Sequence, residues 1–378
     1  MDKTERIREL VQMGKNPSEI IAALKDEGMQ CSIAEVELEV IRRKAVKKHP
    51  EAYKMFLTEE ALRFATPKEV GEYRASRIAA SGSLSIADLC CGIGFQTIEF
   101  AKRFEKVYAV ELDAEKIKLA KMNADALGIR NIEFIRADIF DSSLFEKIKG
   151  VDAIFCDPSR SPSAAERRLE SIPEIGRILS EYSKITDRIC IEAPPQIGPE
   201  RISLECEAEY VSLNWSLNRL NLYFGSLKRC SRSAVLLPQG NYLQNRELKV
   251  LLKNVENSSY AYEVNPAVRK AGLVVEALPE NIEVGKLYED KKLMLLGSRE
   301  PFESPYLRRY KIVESCTNSP KEINRKLKLL GAGRALLRGR IPAEDYWIVR
   351  REMEKGLSGS AAFQVFITAD RALICREF

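Results

Sequence analysis

Histidine is nearly absent from this chain of 378 residues, in which His49 is the one histidine. A single histidine excludes metal sites built from several histidines and most schemes in which histidine moves protons. The sequence therefore predicts no metal site. We expect any difficult chemistry to be supplied by a cofactor.

Paired cysteine motifs and long apolar runs are also missing. The nine cysteines are scattered singly apart from Cys90 and Cys91, and the absence of a C-x-x-C motif argues against zinc and redox sites. No apolar run approaches the roughly 18 residues of a membrane span. The first residues lack an apolar signal region. These features predict a cytoplasmic protein without a membrane partner.

The net charge is small overall and unevenly distributed. The net charge of +5 is too small to indicate nucleic-acid binding by itself, yet residues 81–240 carry −2 and residues 241–378 carry +6. Within residues 299–340, 11 basic and 4 acidic residues are interleaved with aromatic ones, a pattern that suits looped RNA. A solvated surface above ordinary core tyrosines is the alternative. The residues that we expect to contact RNA are Arg308, Arg309, Lys311, Arg325 and Lys326.

Three zones differ in their patterning. Residues 1–80 read as helical, with a capping box at Ser32–Glu35. Residues 81–240 alternate short apolar runs with amphipathic stretches, which predicts a mainly parallel sheet with helices. Residues 241–378 are mixed and end in a hairpin pattern over 363–376. We therefore expect an α/β domain between an N-terminal helical domain and a C-terminal α+β domain. The candidate strands of the middle zone are 84–89, 106–110, 132–135, 151–156 and 189–191, and its candidate helices are 95–103, 113–127 and 172–182.

A glycine-containing turn follows the first candidate strand. It reads Asp88-Leu89-Cys90-Cys91-Gly92-Ile93-Gly94, and its glycines permit a tight turn and a close approach of backbone to a ligand. Thr97 stands where the third glycine of the dinucleotide fingerprint would fall, which disfavours a nicotinamide cofactor. By itself the turn is also compatible with a plain strand–helix connection.

Acidic residues follow three further strands. Glu111, Asp138 and Asp157 each come directly after or close to the end of an apolar run. The carboxyl ends of parallel strands are where open α/β sheets bind ligands. A carboxylate after the second strand can accept both hydroxyl protons of a ribose, and an acid after the third can meet an adenine amino group. The ordered set predicts a nucleoside-containing cofactor.

These motifs resemble class I S-adenosylmethionine-dependent methyltransferases. Asp88, Gly92 and Gly94 match the glycine-rich first motif of that family, Glu111 its ribose-binding acid, and Asp138 its adenine-proximal acid. Asp157 and Pro158 match the start of its catalytic loop. The resemblance implies a Rossmann-like fold and S-adenosylmethionine as the cofactor. The cofactor-binding residues that it implies are Asp88, Cys90, Gly92, Gly94, Glu111, Leu112, Asp138, Ile139 and Asp157.

The flanking zones resemble one methyltransferase subgroup with a THUMP-like C-terminal domain. Segments 41–45, 55–58, 62–66 and 73–75 look like its helical leader, and segments 265–273 and 304–306 look like that domain. The resemblance implies domains at 1–80, 81–240 and 241–378. It also implies RNA, most commonly tRNA, as the partner and substrate.

The catalytic loop is expected to comprise Asp157, Pro158, Ser159 and Arg160. It lacks the aromatic residue typical of enzymes that methylate exocyclic amines, and it looks more like the Asp-Pro-Pro-Arg loop of uridine C5 methylases. Those enzymes need a nucleophilic cysteine on the following strand, whereas Cys190 lies inside an apolar run and is interpreted as a core thiol. We expect Asp157 to orient the acceptor. Arg160 is expected to contact an anion, with a surface salt bridge as its alternative role.

Two other functions remain open at this stage. The enzyme could methylate a protein or a small molecule, with the flanking domains acting as specificity lids. It could also be an RNA-binding protein whose cofactor fold is vestigial, although the intact set of glycines and acids argues against that reading. The sequence leaves the oligomeric state open.

Overall fold

A computed structural model gives the architecture of the chain. It describes residues 2–158, 174–246, 252, 255, 257–280, 282–339, 341, 342 and 344–378. Two compact units divide the chain: the first is Met1–Ile197, Arg201–Glu207 and Leu220–Arg229, and the second is Gly198–Glu200, Ala208–Arg219 and Cys230–Phe378. The boundaries expected from the sequence, after residues 80 and 240, stay predictions.

Residues before the first strand are helical, as the sequence predicts. The side chain of Ser32 accepts a hydrogen bond from the backbone amide of Glu35, and the Glu35 carboxylate accepts one from the backbone amide of Ser32. The predicted capping box is therefore confirmed. The first three helices share a small core of their own, formed by residues such as Ile7, Leu24 and Val36. The helices of this part are α1 (Lys3–Gln12), α2 (Pro17–Asp26), α3 (Ile33–Ala45), α4 (Glu59–Phe64) and α5 (Lys68–Ala79).

The alternation predicted for the middle zone is confirmed. Its first five strands are β1 (Ser85–Leu89), β2 (Lys106–Glu111), β3 (Ile132–Arg136), β4 (Ala153–Cys156) and β5 (Ile189–Ala193). The helices between them are α6 (Phe95–Ala101), α7 (Ala114–Ala126), α8 (Ser142–Lys147) and α9 (Glu174–Tyr182). The first two residues of the predicted helix 172–182 lie outside the described residues.

The sheet that contains these strands is mixed rather than purely parallel. Its strand order is β3-β2-β1-β4-β5-β7-β6-β8-β9, where the four later strands are β6 (Glu207–Leu213), β7 (Ser216–Tyr223), β8 (Arg232–Leu237) and β9 (Asn241–Gln244). Strands β1 to β5 pair in parallel, whereas β7 runs antiparallel to β5 and β9 antiparallel to β8. The chain changes direction between β1 and β4, which is the switch point where sheets of this class bind ligands.

A seven-stranded sheet forms the rest of the second unit. Its order is β11-β12-β10-β13-β16-β15-β14, and β14 and β15 are its one parallel pair among those described. Strands β15 and β16 form the antiparallel closing hairpin that the sequence predicts. The strands are β10 (Tyr260–Val264), β11 (Val284–Glu289), β12 (Met294–Ser298), β13 (Leu307–Cys316), β14 (Ala332–Gly339), β15 (Ala361–Ile367) and β16 (Ala372–Glu377). The helices are α10 (Pro266–Lys270), α11 (Pro320–Leu329) and α12 (Tyr346–Glu354).

The helical leader packs directly on the sheet of the first unit. Ala75 and Ile78 of α5 lie in one core with Ile86 of β1 and Phe155 of β4. This core also holds a charge, because Arg74 of the same helix is completely buried. The leader is therefore part of the packing that supports the sheet.

Arg74 is extensively hydrogen-bonded inside this core. Its guanidinium donates to Gln96 Oε1 over 2.7 Å and to Asn221 Oδ1 over 2.8 Å, and it forms an ion pair with Glu192. It also lies 4.5 Å from the centre of the Phe155 ring. Burial alone would lower the pKa of Arg74, and the charge of Glu192 raises it above its ordinary value. A buried charge is tolerated only with such complete pairing.

We predict that Arg74→Met destabilises the protein by about 3–5 kcal/mol, because the Glu192 carboxylate is then buried without its partner. Urea unfolding followed by circular dichroism measures the change. Arg130→Met is the matched control, since Arg130 pairs with Asp125 on the surface and such pairs contribute little. Equal unfolding midpoints for the two variants would contradict the assigned role of Arg74.

Candidate active site at the carboxyl edge of the sheet

The strand register brings the predicted cofactor residues to one edge of the sheet. Leu89, the last residue of β1, pairs with Val110 of β2 on one side and with Cys156 of β4 on the other. The segment that follows β1 therefore leaves the sheet between Glu111 and Asp157. Because β3 lies beside β2 and ends at Arg136, Asp138 follows at the same edge.

The turn after β1 has the backbone that its glycines predict. Gly92 and Gly94 have φ values of +56° and +94°, which side chains other than glycine rarely adopt. Apart from Gly92 itself and its two chain neighbours, no atom of the described residues lies within 4 Å of the position that a Cβ of Gly92 would occupy, so among these residues the turn borders open space. Cys90 also has a positive φ, of 72°. A strained backbone of this kind is common at ligand-binding turns.

Glu111 is held in place by the backbone around it. Its Oε2 accepts a hydrogen bond from the amide of Gly92 over 2.9 Å, and its Oε1 accepts from the amides of Leu112 and Asp113 over 2.9 and 3.0 Å. Two carboxylate oxygens have about four acceptor positions. The carboxylate is thus fixed against the glycine turn and can still accept a further hydroxyl proton.

The residues expected to meet an adenine lie next to this carboxylate. Leu112 is 62% exposed, which gives the edge an apolar surface. Asp138 is exposed, and its Oδ1 accepts a hydrogen bond from the amide of Phe140 over 2.8 Å. The hydroxyl of Tyr182 donates to the carbonyl of Ile139, which fixes the backbone there. The arrangement fits a nucleoside whose ring lies against Leu112 and whose ribose meets Glu111.

Asp88 lies beneath the turn rather than on its surface. It is buried at the end of β1, and the Thr97 hydroxyl donates to its Oδ2 over 2.5 Å. Burial raises the pKa of Asp88 to about 7, against the opposing effects of Thr97 and Arg74. Thr97, which sequence reasoning noted only as a missing glycine, therefore ties the helix after the turn to β1. Asp88 supports the loop from within the protein.

The expected catalytic loop is described only in part. Asp157 is partly exposed and Pro158 is buried, while Ser159 and Arg160 lie outside the described residues. Asp157 is close enough to Arg74 for its charge to raise the pKa of that guanidinium. The thiol of Cys190, on the following strand, is completely buried, and burial raises its pKa to about 12. Cys190 is a core thiol, as the sequence predicts.

The residues predicted to bind RNA are not gathered on one surface. Arg308 projects from the opposite face of β13 to Arg309 and Lys311, because successive strand residues alternate. Arg309, Arg325 and Lys326 form ion pairs with Glu303, Glu322 and Glu314 respectively. Arg308 and Lys311 have no carboxylate partner in the described part of the chain.

The single histidine belongs to a charge cluster at α6, the helix that follows the turn. His49 Nε2 lies 3.0 Å from Glu99 Oε1, and these residues form with Glu51 a group of possible metal ligands. The Lys102 ammonium is 2.9 Å from Glu99 and 2.7 Å from Glu51, so it already supplies a positive charge to the group. The expectation of no metal site stays a prediction.

Two residues that position the site had no assigned role in the sequence reasoning. Arg74 joins α6 to the end of β5, as described above. Asn123 of α7 is buried; it accepts from the amide of Phe56 over 2.6 Å and donates to the carbonyl of Ile93 over 3.0 Å. It thereby connects the helical leader to the glycine turn. The sequence signal that could have indicated Arg74 or Asn123 is a polar residue on an otherwise apolar helix face.

Comparison with known proteins gives matches among methyltransferases. Residues 84–164 match a family described as RNA cap guanine-N2 methyltransferase. A tRNA/tmRNA (uracil-C(5))-methyltransferase of a Nitratiruptor species is 32% identical over 100 residues, which cover 23% of this chain and 28% of that protein. The 23S rRNA (uracil(1939)-C(5))-methyltransferase RlmD of Stenotrophomonas maltophilia is 36% identical over 107 residues, covering 28% of this chain and 22% of that protein. The chain thus spans less than a third of the length of these relatives.

A solved structure resembles this chain over its whole length. It is a candidate methyltransferase from Porphyromonas gingivalis W83, with a TM-score of 0.75 and 16% identity over 100% of this chain and 99% of that one. At this identity the likeness shows a shared fold. These matches support the enzyme class that the sequence predicts. Among the residues that the structure describes, none of the helices has the length and hydropathy of a membrane span.

Asp88 gives the site a pH signature. The unfolded carboxyl ionises near its ordinary pKa of 3.8 and the folded one near 7, so folding favours the neutral form. The contribution of Asp88 to stability is therefore complete below about pH 4 and is lost as the pH rises through 7.

We predict that the wild type loses roughly 2–3 kcal/mol more than Asp88→Asn between pH 5 and pH 7, at about 1.4 kcal/mol per pH unit. Denaturant unfolding at the two pH values measures the difference. Asp125→Asn, an exposed site, should behave as the wild type does. Identical pH dependence in the wild type and Asp88→Asn would show that Asp88 ionises normally in the folded protein.

Proposed function

We propose that this protein is a methyltransferase that uses S-adenosylmethionine and acts on RNA. The observation that carries the proposal is the row of groups along the carboxyl edge of β3, β2, β1 and β4. Asp138, Glu111, the glycine turn and Asp157 follow these strands in that spatial order. The row crosses the switch point of the sheet, where a ligand meets the fewest obstructing connections.

The residues at this edge fit the cofactor. The space beside Gly92, which is open among the described residues, accommodates a ligand against the backbone. Glu111 offers the remaining acceptor position of its fixed carboxylate to a ribose hydroxyl, and Leu112 offers an apolar surface to a ring. Asp138 and Ile139 would border the adenine. When bound, S-adenosylmethionine supplies an electrophilic methyl group, so the protein has mainly to align the acceptor and exclude water from it.

Asp157 is the residue we assign to the acceptor. It follows β4 immediately across the switch point from the glycine turn, and a carboxylate there can accept a hydrogen bond from the acceptor group or take its proton. The buried Pro158 fixes the backbone direction after it. Ser159 and Arg160 complete the proposed loop, with Arg160 contacting a phosphate of the substrate.

Methylation of a pyrimidine carbon through Cys190 is disfavoured by the structure. Such a reaction needs a thiolate that reaches the ring. The thiol of Cys190 is inaccessible, and a pKa near 12 leaves it protonated at neutral pH. A nitrogen or oxygen acceptor needs no covalent activation, and we propose one of these even though two similar proteins are named as uracil C5 enzymes.

RNA is proposed as the substrate class on two grounds. The family description and the names of both relatives refer to RNA, and residues 241–378 are basic. Within those residues, Arg308 and Lys311 offer cations that have no carboxylate partner in the described ranges. We propose that this zone is the THUMP-like domain expected from the sequence and that tRNA is the substrate. Methylation of a protein or small molecule is the alternative.

The test is transfer of radiolabel from S-adenosylmethionine to components of a cell extract. We expect label in material that ribonuclease degrades and protease does not. The variant Asp157→Asn, which keeps the size of the side chain but loses its charge, should transfer no label. Asp187→Asn is the matched control, because Asp187 accepts hydrogen bonds from Ser226 and follows α9, away from the loop. Label that survives ribonuclease but not protease would overturn the RNA assignment.

A further inference from the structure

A cavity lies in the second unit, at the tip of the hairpin that joins β6 to β7. Its volume is about 210 Å³, and its walls include Ser212, Trp215, Gln239, Asn241 and Asn265. A water molecule occupies roughly 30 Å³ of liquid, and pockets for drug-sized ligands start at about 300 Å³. The cavity therefore suits one small ring better than a larger molecule.

Trp215 is held in an unfavourable backbone conformation at this tip. The two-residue connection Asn214-Trp215 has φ values of 49° and 64°, a left-handed pair for which asparagine and glycine are the usual residues. A bulky side chain in that region is a true outlier. Such strain points to a function for the residue that bears it.

The indole of Trp215 has unused binding capacity. Its Nε1 is buried and has no hydrogen-bond partner among the described residues, although buried donors are normally paired. The guanidinium of Arg308 lies 4.3 Å from the ring centre. As noted above, none of the described carboxylates pairs with Arg308. An aromatic ring, a free donor and an unneutralised cation thus lie together.

Two buried polar side chains complete the wall. Asn265 Nδ2 donates to Ser212 Oγ over 3.2 Å, and Asn265 Oδ1 accepts from the amide of Ala267 over 2.9 Å. This leaves the Ser212 hydroxyl proton and the second amide proton of Asn265 for a ligand. At the more exposed rim, Gln239 and Asn241 offer two further amides, each with both donors and acceptors.

We propose that this cavity binds one unstacked nucleobase of an RNA and that Arg308 contacts the adjoining phosphate. A nucleobase is small and planar, carries donors and acceptors at its edge, and stacks on aromatic side chains. Its phosphate matches the cation over Trp215. This inference rests on the proposed function in that it makes the base part of the RNA substrate, and it identifies the group by which that substrate is held.

Fluorescence gives a direct test on the full-length protein. The chain has two tryptophans, so Trp347→Phe leaves Trp215 as the sole emitter, and Trp347 is exposed on α12. We expect saturable quenching by at least one of the four ribonucleoside 5′-monophosphates and by a short unstructured RNA. Absence of quenching by all five probes would overturn the proposal.

Variants at the hairpin tip separate binding from folding. Trp215→Gly should weaken RNA affinity roughly 5- to 150-fold, the range for loss of one base–aromatic stack. Its thermal stability should be maintained or increased, since glycine accepts the left-handed turn. Trp215→Phe should restore part of the affinity, and Trp347→Leu should leave it unchanged. Equal RNA affinity of Trp215→Gly and wild type would refute the base-binding role.

Salt dependence tests the phosphate contact. Arg308→Gln should reduce the slope of log affinity against log salt by about one unit, whereas Arg371→Gln, in the exposed turn before β16, should not. An unchanged slope for Arg308→Gln overturns that contact. If Trp215→Gly methylates RNA and binds it as the wild type does, base binding by this cavity is refuted and the proposed function is left intact. Quenching by mononucleotides without RNA methylation would support the cavity and refute the proposed function.

Discussion

The buried guanidinium of Arg74 is the interaction on which the site depends most. It connects Gln96 after the glycine turn, Glu192 at the end of β5 and Asn221 on β7, three positions that are far apart in sequence. Because all three acceptors lie inside the protein, each can be satisfied only if the elements that carry them keep one arrangement. The helical leader that supplies Arg74 is therefore required for the geometry of the sheet edge, and it is more than an appendage.

Two acids near this edge have different environments and hence different roles. Asp88 is buried, and its raised pKa favours the neutral form that accepts from Thr97 and supports the turn. Glu111 is only partly buried, and three backbone amides fix its carboxylate. Asp88 and Glu111 thus have different roles because they differ in burial: the buried Asp88 supports the turn, and the more exposed Glu111 is available to a ligand. The sheet edge offers a ligand one rigid carboxylate beside an open glycine turn.

Much of the first unit could be predicted from the sequence, since β1 to β5 are short apolar runs and Gly92 and Gly94 mark the turn. The mixed character of the sheet and the buried Arg74 could not, because the partners of Arg74 on β5 and β7 are more than a hundred residues away. The basic residues of segment 299–340 show the same limit. Composition marks the segment as basic, whereas only the fold shows that strand alternation places Arg308 and Lys311 on opposite faces of β13. Trp215 had no sequence signal, since its strain and its unpaired donor exist only in the folded hairpin.

Calorimetric titration with S-adenosylmethionine tests the central claim most directly, on the wild type, Glu111→Ala and Glu133→Ala. Glu133 lies on the adjacent strand, where it forms a surface pair with Lys106, and so controls for the loss of a carboxylate. We predict binding by the wild type and by Glu133→Ala, and an affinity about 10- to 100-fold lower for Glu111→Ala, as expected for lost charge-assisted hydrogen bonds. Undetectable binding by the wild type, or equal affinity of Glu111→Ala and wild type, would contradict the proposed cofactor site.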